Sequence, residues 1–347
     1  MPRPNSHHRA PALIYAGIDE AGYGPMLGPL CVGASVFRVR DWRPGAPAPD
    51  LWRALDPVVC KDPPRSRRAT RIAINDSKRL KGAQGPGDVR SLAHLERAVL
   101  CALACAGHEA PTDDALLRAL GAELGDAPWY GVAPTPLPLN GDAPSLALLA
   151  NELGAAMRRA HVECLSVRVH ALPERAFNDR CDAHGSKAAV SFGLVADAMR
   201  EAWEAWGEEA AAADPGGVRI VVDRQGGRSS YAGALRRVFP GAVVETLEES
   251  ARVSRYHVAE GGAQGRARAA TVIVQPEAES AHLPVALASM AAKLAREIAM
   301  MRFNAHWIER KPGLAPTAGY VADARRWLHD AADAITADER RMLVRRR

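Results

Sequence analysis

A chain of 347 residues can form one large domain or two, and with 48% hydrophobic residues it can bury a sizeable core. Its formal net charge of +5 permits a polyanionic partner but does not require one. The sequence shows no secretory signal pattern and no apolar run of about 18 residues, so we expect a cytoplasmic protein that does not enter the membrane.

The cysteine and histidine patterns also fit a protein of the reducing cytoplasm. The six cysteines include no Cys-x-x-Cys pair. Cys101 and Cys105 lie one helical turn apart in an apolar segment, which is typical of buried, reduced thiols. His184 and His257 lie near candidate site segments, but neither has a partner at a convincing zinc-ligand spacing.

The first predicted strand runs from Leu13 to Ile18 and ends in two adjacent acids, Asp19 and Glu20. Residues 21–29 then contain three glycines and two prolines. A buried charge must be paired or bound to a cation, and glycines let a backbone come close to a ligand. The stretch therefore predicts either a metal-binding strand that faces a phosphate chain or a solvated Asp-Glu turn after a core strand.

The later elements are predicted from hydrophobic periodicity and from Gly and Pro breaks. In chain order they are a second strand at 30–39, antiparallel to the first, helices at 90–107, 111–124 and 145–160, a strand at 163–170, a long helix at 187–212, strands at 218–223, 242–247 and 271–275, and helices at 281–307 and 319–334. This order predicts an α/β fold with a mixed β-sheet flanked by helices.

Local composition distinguishes a single predicted domain from Pro-rich, terminal and Arg-rich segments. We expect a single domain over residues 12–334, with Pro-rich insertions at about 41–70 and 126–144. Residues 1–11 are predicted to be a disordered lead. Residues 335–347 are predicted to be a basic tail, because five of the last eight residues are arginines.

A second predicted strand, at 218–223, also ends in an acid, Asp223. At the carboxyl ends of adjacent strands the side chains of Asp19, Glu20 and Asp223 can converge, and such a cluster cannot stay fully ionised without a cation. Oxygen-only clusters favour Mg²⁺ or Mn²⁺. Two such ions about 4 Å apart can clamp the attacking water and the leaving oxygen in phosphodiester hydrolysis.

Five motifs resemble, in order, those of the type 2 ribonuclease H family (ribonuclease HII and HIII). They are Gly17-Ile-Asp-Glu-Ala-Gly-Tyr-Gly-Pro-Met-Leu-Gly-Pro29, Asn75-Asp-Ser-Lys-Arg-Leu80, Val222-Asp223 after an apolar run, Ala288-Ser-Met-Ala-Ala-Lys-Leu-Ala-Arg-Glu297, and Gly319-Tyr320 before a helix. The first motif is highly specific, and the others gain weight from their order over residues 13–330.

The resemblance implies a ribonuclease H-like fold and Mg²⁺- or Mn²⁺-dependent cleavage of RNA in RNA–DNA hybrids, or at ribonucleotides embedded in duplex DNA, which leaves a 3′-hydroxyl and a 5′-phosphate. It implies that Asp19, Glu20 and Asp223 are catalytic metal ligands. Glu297 takes the position of the fourth carboxylate, where the family usually has aspartate; glutamate keeps the charge, and its extra methylene would move the second metal. We expect the protein to act as a monomer.

The resemblance also implies the residues that contact substrate. Gly22, Tyr23 and Gly24 match a loop that normally reads Gly-Arg-Gly, so the glycines remain but a guanidinium is replaced by a phenol. The other implied contacts are Ser77 and Lys78 at backbone phosphate, Lys293 at phosphate or beside the carboxylates, and Tyr320 stacked near the scissile site. For Tyr320 alone, a core aromatic role is equally compatible with the sequence.

Glu277 and Glu279 follow the strand at 271–275, in a region where the family has an acidic residue. We interpret them as part of a solvated loop, with an outer-shell role at the metal site as the alternative.

Two other functions remain open from the sequence. A non-cleaving relative would bind nucleic acid structurally, and a structure-selective nuclease on the same fold would cut all-DNA junctions. Metal-dependent nicking distinguishes an enzyme from a binding module, and all-DNA substrates identify the second alternative.

Overall fold

The computed structural model describes most of the chain, namely residues 11–63, 71–81, 85, 87–224, 226, 228–261 and 267–346. The predicted disordered lead at 1–11 lies outside these residues except for its last position. Residues 64–70 of the first Pro-rich insertion also lie outside them.

The described residues form strands of very different lengths. They are β1 (Ala12–Ala21), β2 (Leu30–Arg40), β3 (Val59–Cys60), β4 (Ile72–Ala73), β5 (Val162–Leu172), β6 (Val218–Asp223), β7 (Val243–Glu249), β8 (Ser254–Glu260) and β9 (Arg268–Gln275). All but the short β3–β4 pair belong to one sheet.

The helices are placed between and after these strands. They are α1 (Leu51–Ala54), α2 (Ser77–Leu80), α3 (Ala93–Cys105), α4 (Asp113–Leu120), α5 (Ala143–Arg159), α6 (Glu174–His184), α7 (Lys187–Ala213), α8 (Ala232–Val238), α9 (Ala278–Ala281), α10 (Leu283–Arg310), α11 (Val321–Asp330) and α12 (Ala337–Leu343). No helix in the described ranges combines the length and the apolar character needed to cross a membrane.

The main sheet has the order β5-β2-β1-β6-β9-β8-β7. β1 pairs antiparallel with β2 and parallel with β6, and β6 pairs parallel with β9. The pairs β2–β5, β8–β9 and β7–β8 are antiparallel. The predicted mixed sheet, including its antiparallel first hairpin, is therefore confirmed.

Each face of the sheet has its own apolar core because side chains alternate along a strand. In β1, Leu13 and Tyr15 belong to one core, whereas Ile14, Ala16 and Ile18 belong to the other. Helix α10 contributes more buried residues to the first core than any other helix, and α7 does the same for the second.

Helix α10 lies directly on the centre of the sheet because two facing strand residues have no side chain. A Cβ on Gly17 would collide with the backbone of Pro284 and Val285, and a Cβ on Gly33 would collide with that of Ala288. This close approach brings the middle of α10 beside the carboxyl end of β1.

The structure contains elements that the periodicity does not predict. Helices α6 and α8 and strand β8 are short or weakly patterned, and the predicted helix at 319–334 begins only at Val321. The largest difference concerns the predicted basic tail at 335–347. Thr336 and Glu339 form a capping box that starts α12, and the Arg345 side chain beyond it is only 1% exposed.

Candidate active site

Acidic residues lie at or just beyond the carboxyl ends of three adjacent parallel strands at one edge of the sheet. Asp19 and Glu20 lie at the end of β1, Asp223 is the last residue of β6, and Glu279 lies in α9 directly after β9. Because β1, β6 and β9 run parallel, their carboxyl ends meet at the same edge. The sheet thus brings Asp19 and Asp223 to one place, as the sequence predicts, and adds Glu279.

The electrostatics of Asp19 show that these acids act on one another. Desolvation raises the pKa of the Asp19 carboxyl well above its usual range, and the charges of Asp223 and Glu279 raise it further. Hydrogen bonds from the Ser289 hydroxyl and from the Glu20 N–H (2.7 Å) oppose this shift. Keeping these carboxylates ionised in this conformation is therefore unfavourable, and a bound cation would remove that penalty.

The pKa values of Asp223 and Glu279 are raised as well. Desolvation raises the pKa of each carboxyl, and the charge of Asp223 adds to the shift at Glu279. Asp223 accepts a hydrogen bond from the Ala278 N–H (3.0 Å), which ties the end of β6 to α9. Glu279 Oε2 is buried, and a side-chain hydrogen bond links Glu279 to Asp223. Carboxyl groups that meet in a desolvated site are suited to metal binding.

The structure contradicts the expectation that Glu279 lies in a solvated loop. It is half-buried, whereas Glu277, two residues before it, is exposed. The missed signal is positional, because Glu279 follows β9 much as the other acids close β1 and β6.

Glu297, predicted as the fourth metal carboxylate, is surrounded by cations instead. Its Oε1 lies 2.8 Å from Lys293 Nζ, 2.9 Å from Lys81 Nζ and 3.8 Å from Arg296 Nη1. Burial would raise the pKa of Glu297, but these three cations lower it to about 2. Glu297 therefore has the surroundings of a structural ion pair.

The motif at 75–80 reaches the site through its serine and lysine. Asp76 caps α2 by accepting a hydrogen bond from the Lys78 N–H (2.9 Å). Ser77 Oγ lies 3.0 Å from Ser289 Oγ, and Ser289 in turn hydrogen-bonds Asp19. The exposed Lys78 ammonium lowers the pKa of Asp223. It is the basic group of this motif that is available to a phosphate.

Glu20 points to the opposite face of the sheet, where it accepts a hydrogen bond from Ser191 Oγ of α7 (3.0 Å). Among the described residues, no group of three or more His, Cys, Asp or Glu side chains is arranged so that it would hold a metal ion. Metal binding by Asp19, Asp223 and Glu279 therefore requires side-chain rotations from this conformation.

The loop of Gly22, Tyr23 and Gly24 follows the acids immediately. Gly22 has φ +90°, and a Cβ there would lie 2.7 Å from both Arg296 Cδ and Pro29 O, so only glycine fits. A Cβ on Gly24 would meet nothing within 4 Å. The Tyr23 side chain is 41% exposed, which leaves it open to a ligand.

Two buried arginines donate hydrogen bonds to the backbone of this loop and of the residues that follow it. Arg345 Nη1 donates to Gly22 O (2.6 Å) and Nη2 donates to Tyr23 O (3.2 Å), while its backbone N–H donates to Met26 O (2.8 Å). The fully buried Arg296 donates to Leu27 O (3.2 Å). Burial, followed by the charge of Arg296, lowers the pKa of Arg345 to about 10. Positive charge therefore lies next to this loop, on Arg345 and Arg296, although the central residue of the loop is a tyrosine.

Tyr320 lies beside the same loop. The backbone N–H groups of Met26 and Leu27 donate to the preceding carbonyl, Gly319 O. Arg296 and Lys293 lie 5.4 and 5.8 Å from the centroid of the Tyr320 ring, which is 46% exposed. The predicted alternative of a core aromatic is wrong, because the side chain is open to solvent. Lys293 is engaged by Glu297, so it balances a carboxylate in this conformation.

No protein-family model and no curated protein matches the chain. Solved structures do. A chain in the structure of the PCNA:RNase HII complex from Archaeoglobus fulgidus has 15% sequence identity and a TM-score of 0.40, and the match covers 96% of this chain and 95% of that chain. The ribonuclease H2 from Pyrococcus horikoshii OT3 has 14% identity and a TM-score of 0.37, with 96% and 93% covered. Bst-RNase HIII in complex with Mn²⁺ has 14% identity and a TM-score of 0.38, with 99% and 70% covered.

Proposed function

We propose that the protein is a Mg²⁺- or Mn²⁺-dependent endonuclease that hydrolyses the RNA strand of RNA–DNA hybrids, or cuts at ribonucleotides embedded in duplex DNA. The observation that carries this proposal is the group of Asp19, Asp223 and Glu279, whose pKa values are all raised at the ends of three adjacent parallel strands. The ordered motifs that resemble type 2 ribonucleases H support the choice of substrate.

The donor set fits a hard divalent cation, because it consists of carboxylate oxygens that meet in a desolvated site. Asp19, Asp223 and Glu279 would hold the metal, and Glu20 would join them by releasing Ser191. A metal bound there would polarise the scissile phosphodiester and lower the pKa of an attacking water. This assignment replaces Glu297 by Glu279 as the fourth carboxylate.

The other residues bind and orient the substrate. The exposed Lys78 ammonium is placed to pair with a phosphate, since its charge already reaches Asp223. The backbone of Gly22 and Gly24 can approach a ribose closely because neither residue has a side chain. The exposed rings of Tyr23 and Tyr320 offer surfaces for stacking on a sugar or a base.

A cleavage panel tests the function. It compares a duplex with a single ribonucleotide, a long RNA–DNA hybrid, an all-DNA duplex and an all-DNA junction, each with Mg²⁺, Mn²⁺ or EDTA. We expect metal-dependent cuts only where ribose is present, with a 3′-hydroxyl and a 5′-phosphate. Binding without cutting would indicate a non-catalytic relative, and cutting of all-DNA junctions would indicate a DNA nuclease; either result would overturn the proposal.

Replacing Glu279 with glutamine is expected to lower the cleavage rate by at least about 100-fold, because one metal-binding charge is lost. Without metal the variant should be at least as stable as the parent, since a repelling, desolvated charge is removed. Single-turnover cleavage and denaturant unfolding in EDTA measure the two effects. An unchanged cleavage rate would exclude Glu279 from the centre.

Replacing Glu297 with glutamine is expected to act mainly on stability. The pKa falls from 4.5 to about 2 in the fold, which corresponds to about 3 kcal/mol of stabilisation when the group is ionised. Because the folded pKa is the lower one, this contribution is complete above about pH 4.5 and is lost as the pH falls toward 2. Unfolding free energies of parent and variant should therefore differ at pH 7 and converge in acid. Loss of cleavage in a variant of unchanged stability would instead restore Glu297 as a metal ligand.

A further inference from the structure

We propose that a basic pocket between α6, α7 and α8, separate from the carboxylates, binds a backbone phosphate of the nucleic-acid strand. The anion site stands on its own observations. Its assignment to a nucleic-acid strand rests on the proposed function.

The pocket is defined by converging arginines. A cavity of about 290 Å³ has four of them in its wall, together with one histidine; they are Arg180, His184, Arg200, Arg228 and Arg237. They come from α6, from α7, from the segment before α8 and from α8 itself. No carboxylate belongs to the described lining of this cavity. At the small end of ligand pockets, which hold roughly 300–1,000 Å³, it suits a phosphate with its sugar rather than a folded partner.

The positive charge in the pocket is poorly balanced. Asp197 pairs with Arg200 and lies 3.8 Å from Arg180. No carboxylate in the described part of the chain lies within ion-pair distance of Arg228 or Arg237. Clustered like charges destabilise a fold unless a bound anion neutralises them.

The arginine geometry favours phosphate as that anion. The Arg228 guanidinium lies 5.1 Å from the centroid of the Phe192 ring and 5.8 Å from that of Tyr231, so aromatic contacts hold its plane. A guanidinium held in this way presents a rigid pair of N–H donors, and such pairs match phosphate oxygens bidentately.

Helix α7 connects the pocket to the catalytic edge. Ser191 of this helix donates to Glu20 (3.0 Å), and its neighbours Val190 and Phe192 line the pocket. Phe192 also contacts Tyr231 at 6.3 Å between ring centroids, and the charge of Asp223 reaches the Tyr231 hydroxyl. A strand that passes over the carboxylates can therefore place a phosphate outside the scissile position into this pocket.

Binding without catalysis tests the site directly. A labelled RNA–DNA hybrid is titrated in EDTA over a series of salt concentrations with the parent, Arg237→Gln and Arg236→Gln. Arg236 is the matched control because it is adjacent in α8, is also exposed and does not line the pocket. Neither substitution touches the core, and thermal unfolding verifies the fold.

We expect Arg237→Gln to weaken binding about 3- to 10-fold and to reduce the slope of log K against log salt by about 1, the value for one lost phosphate contact. Arg236→Gln should leave the slope unchanged. Equal slopes for the two variants, without any protection of the parent by inorganic phosphate, would overturn the site. If inorganic phosphate protects the parent from thermal unfolding but not Arg237→Gln, while both variants share one slope, the pocket binds a free anion and its assignment to a nucleic-acid strand fails.

The two proposals fail in different ways. A hybrid that binds with the expected change of slope but is never cut with metal would remove the nuclease function and keep the pocket. Normal cleavage with identical slopes for both variants would keep the function and remove the assignment of the pocket to a nucleic-acid strand.

Discussion

Replacing Asp19 with asparagine is expected to lower the cleavage of an RNA–DNA hybrid by at least about 1,000-fold while the fold stays intact. Asp19 lies between Ser289 and the charges of Asp223 and Glu279, where its pKa is raised most by desolvation. The amide keeps the shape and the hydrogen-bonding capacity of the side chain, but it removes the charge that would bind the metal.

Two measurements separate this effect from damage to the structure. Single-turnover rates should collapse at saturating Mn²⁺, whereas the unfolding free energy in EDTA should remain equal to that of the parent or exceed it. Full activity of Asp19→Asn would contradict the whole assignment of the site. Lost activity together with lost stability would point to misfolding, and Asp19→Glu, which keeps the charge, would then be the informative variant.

Replacing Arg345 with alanine is expected to disorganise the loop of Gly22, Tyr23 and Gly24. The substitution removes both donors to the carbonyls of Gly22 and Tyr23 and leaves a void beside Phe177, whose ring centroid is 4.0 Å from the guanidinium carbon. An unpaired carbonyl costs about 1–3 kcal/mol when buried and less when partly buried, as both of these are, so together with the void we expect roughly 2–4 kcal/mol of destabilisation. KM for the hybrid should rise about tenfold or more, because the loop loses both its shape and the charge beneath it.

Arg346→Gln is the matched control for this prediction, because Arg346 is adjacent but exposed and pairs with Asp182 at the surface. Arg345→Lys should restore the charge but not the two-pronged contact, so an intermediate KM would identify the guanidinium geometry as the cause. If Arg345→Ala and Arg346→Gln had the same stability and KM, Arg345 would have no role in holding the loop.

Local patterns were sufficient to predict β1, β6 and the long helices, because apolar periodicity is a property of neighbouring residues. The same patterns located Asp19 and Asp223, each of which ends an apolar run. They could not identify Glu279, whose loop context looks solvated until β9 is placed beside β6.

For Glu297, sequence reasoning predicted a metal ligand, whereas the structure places the side chain in an ion pair. The sequence contains Lys293 one helical turn earlier, and in the structure this lysine and Lys81 neutralise the glutamate. Lys81 is more than 200 positions away, so only the fold shows that the charge is already satisfied. Arg345 was missed for the same reason, since a run of arginines gives no sign that one of them is buried.

The contact between Arg345 and Gly22 also has a consequence for protein synthesis. It joins positions 323 residues apart, so this loop, which is synthesised early and belongs to the proposed substrate surface, gains its support last. A nascent chain that already has its sheet and its acids would still lack the support for this loop. A polypeptide that terminates before Arg345 would behave in the same way, and substrate recognition would then report whether translation had continued through residue 345.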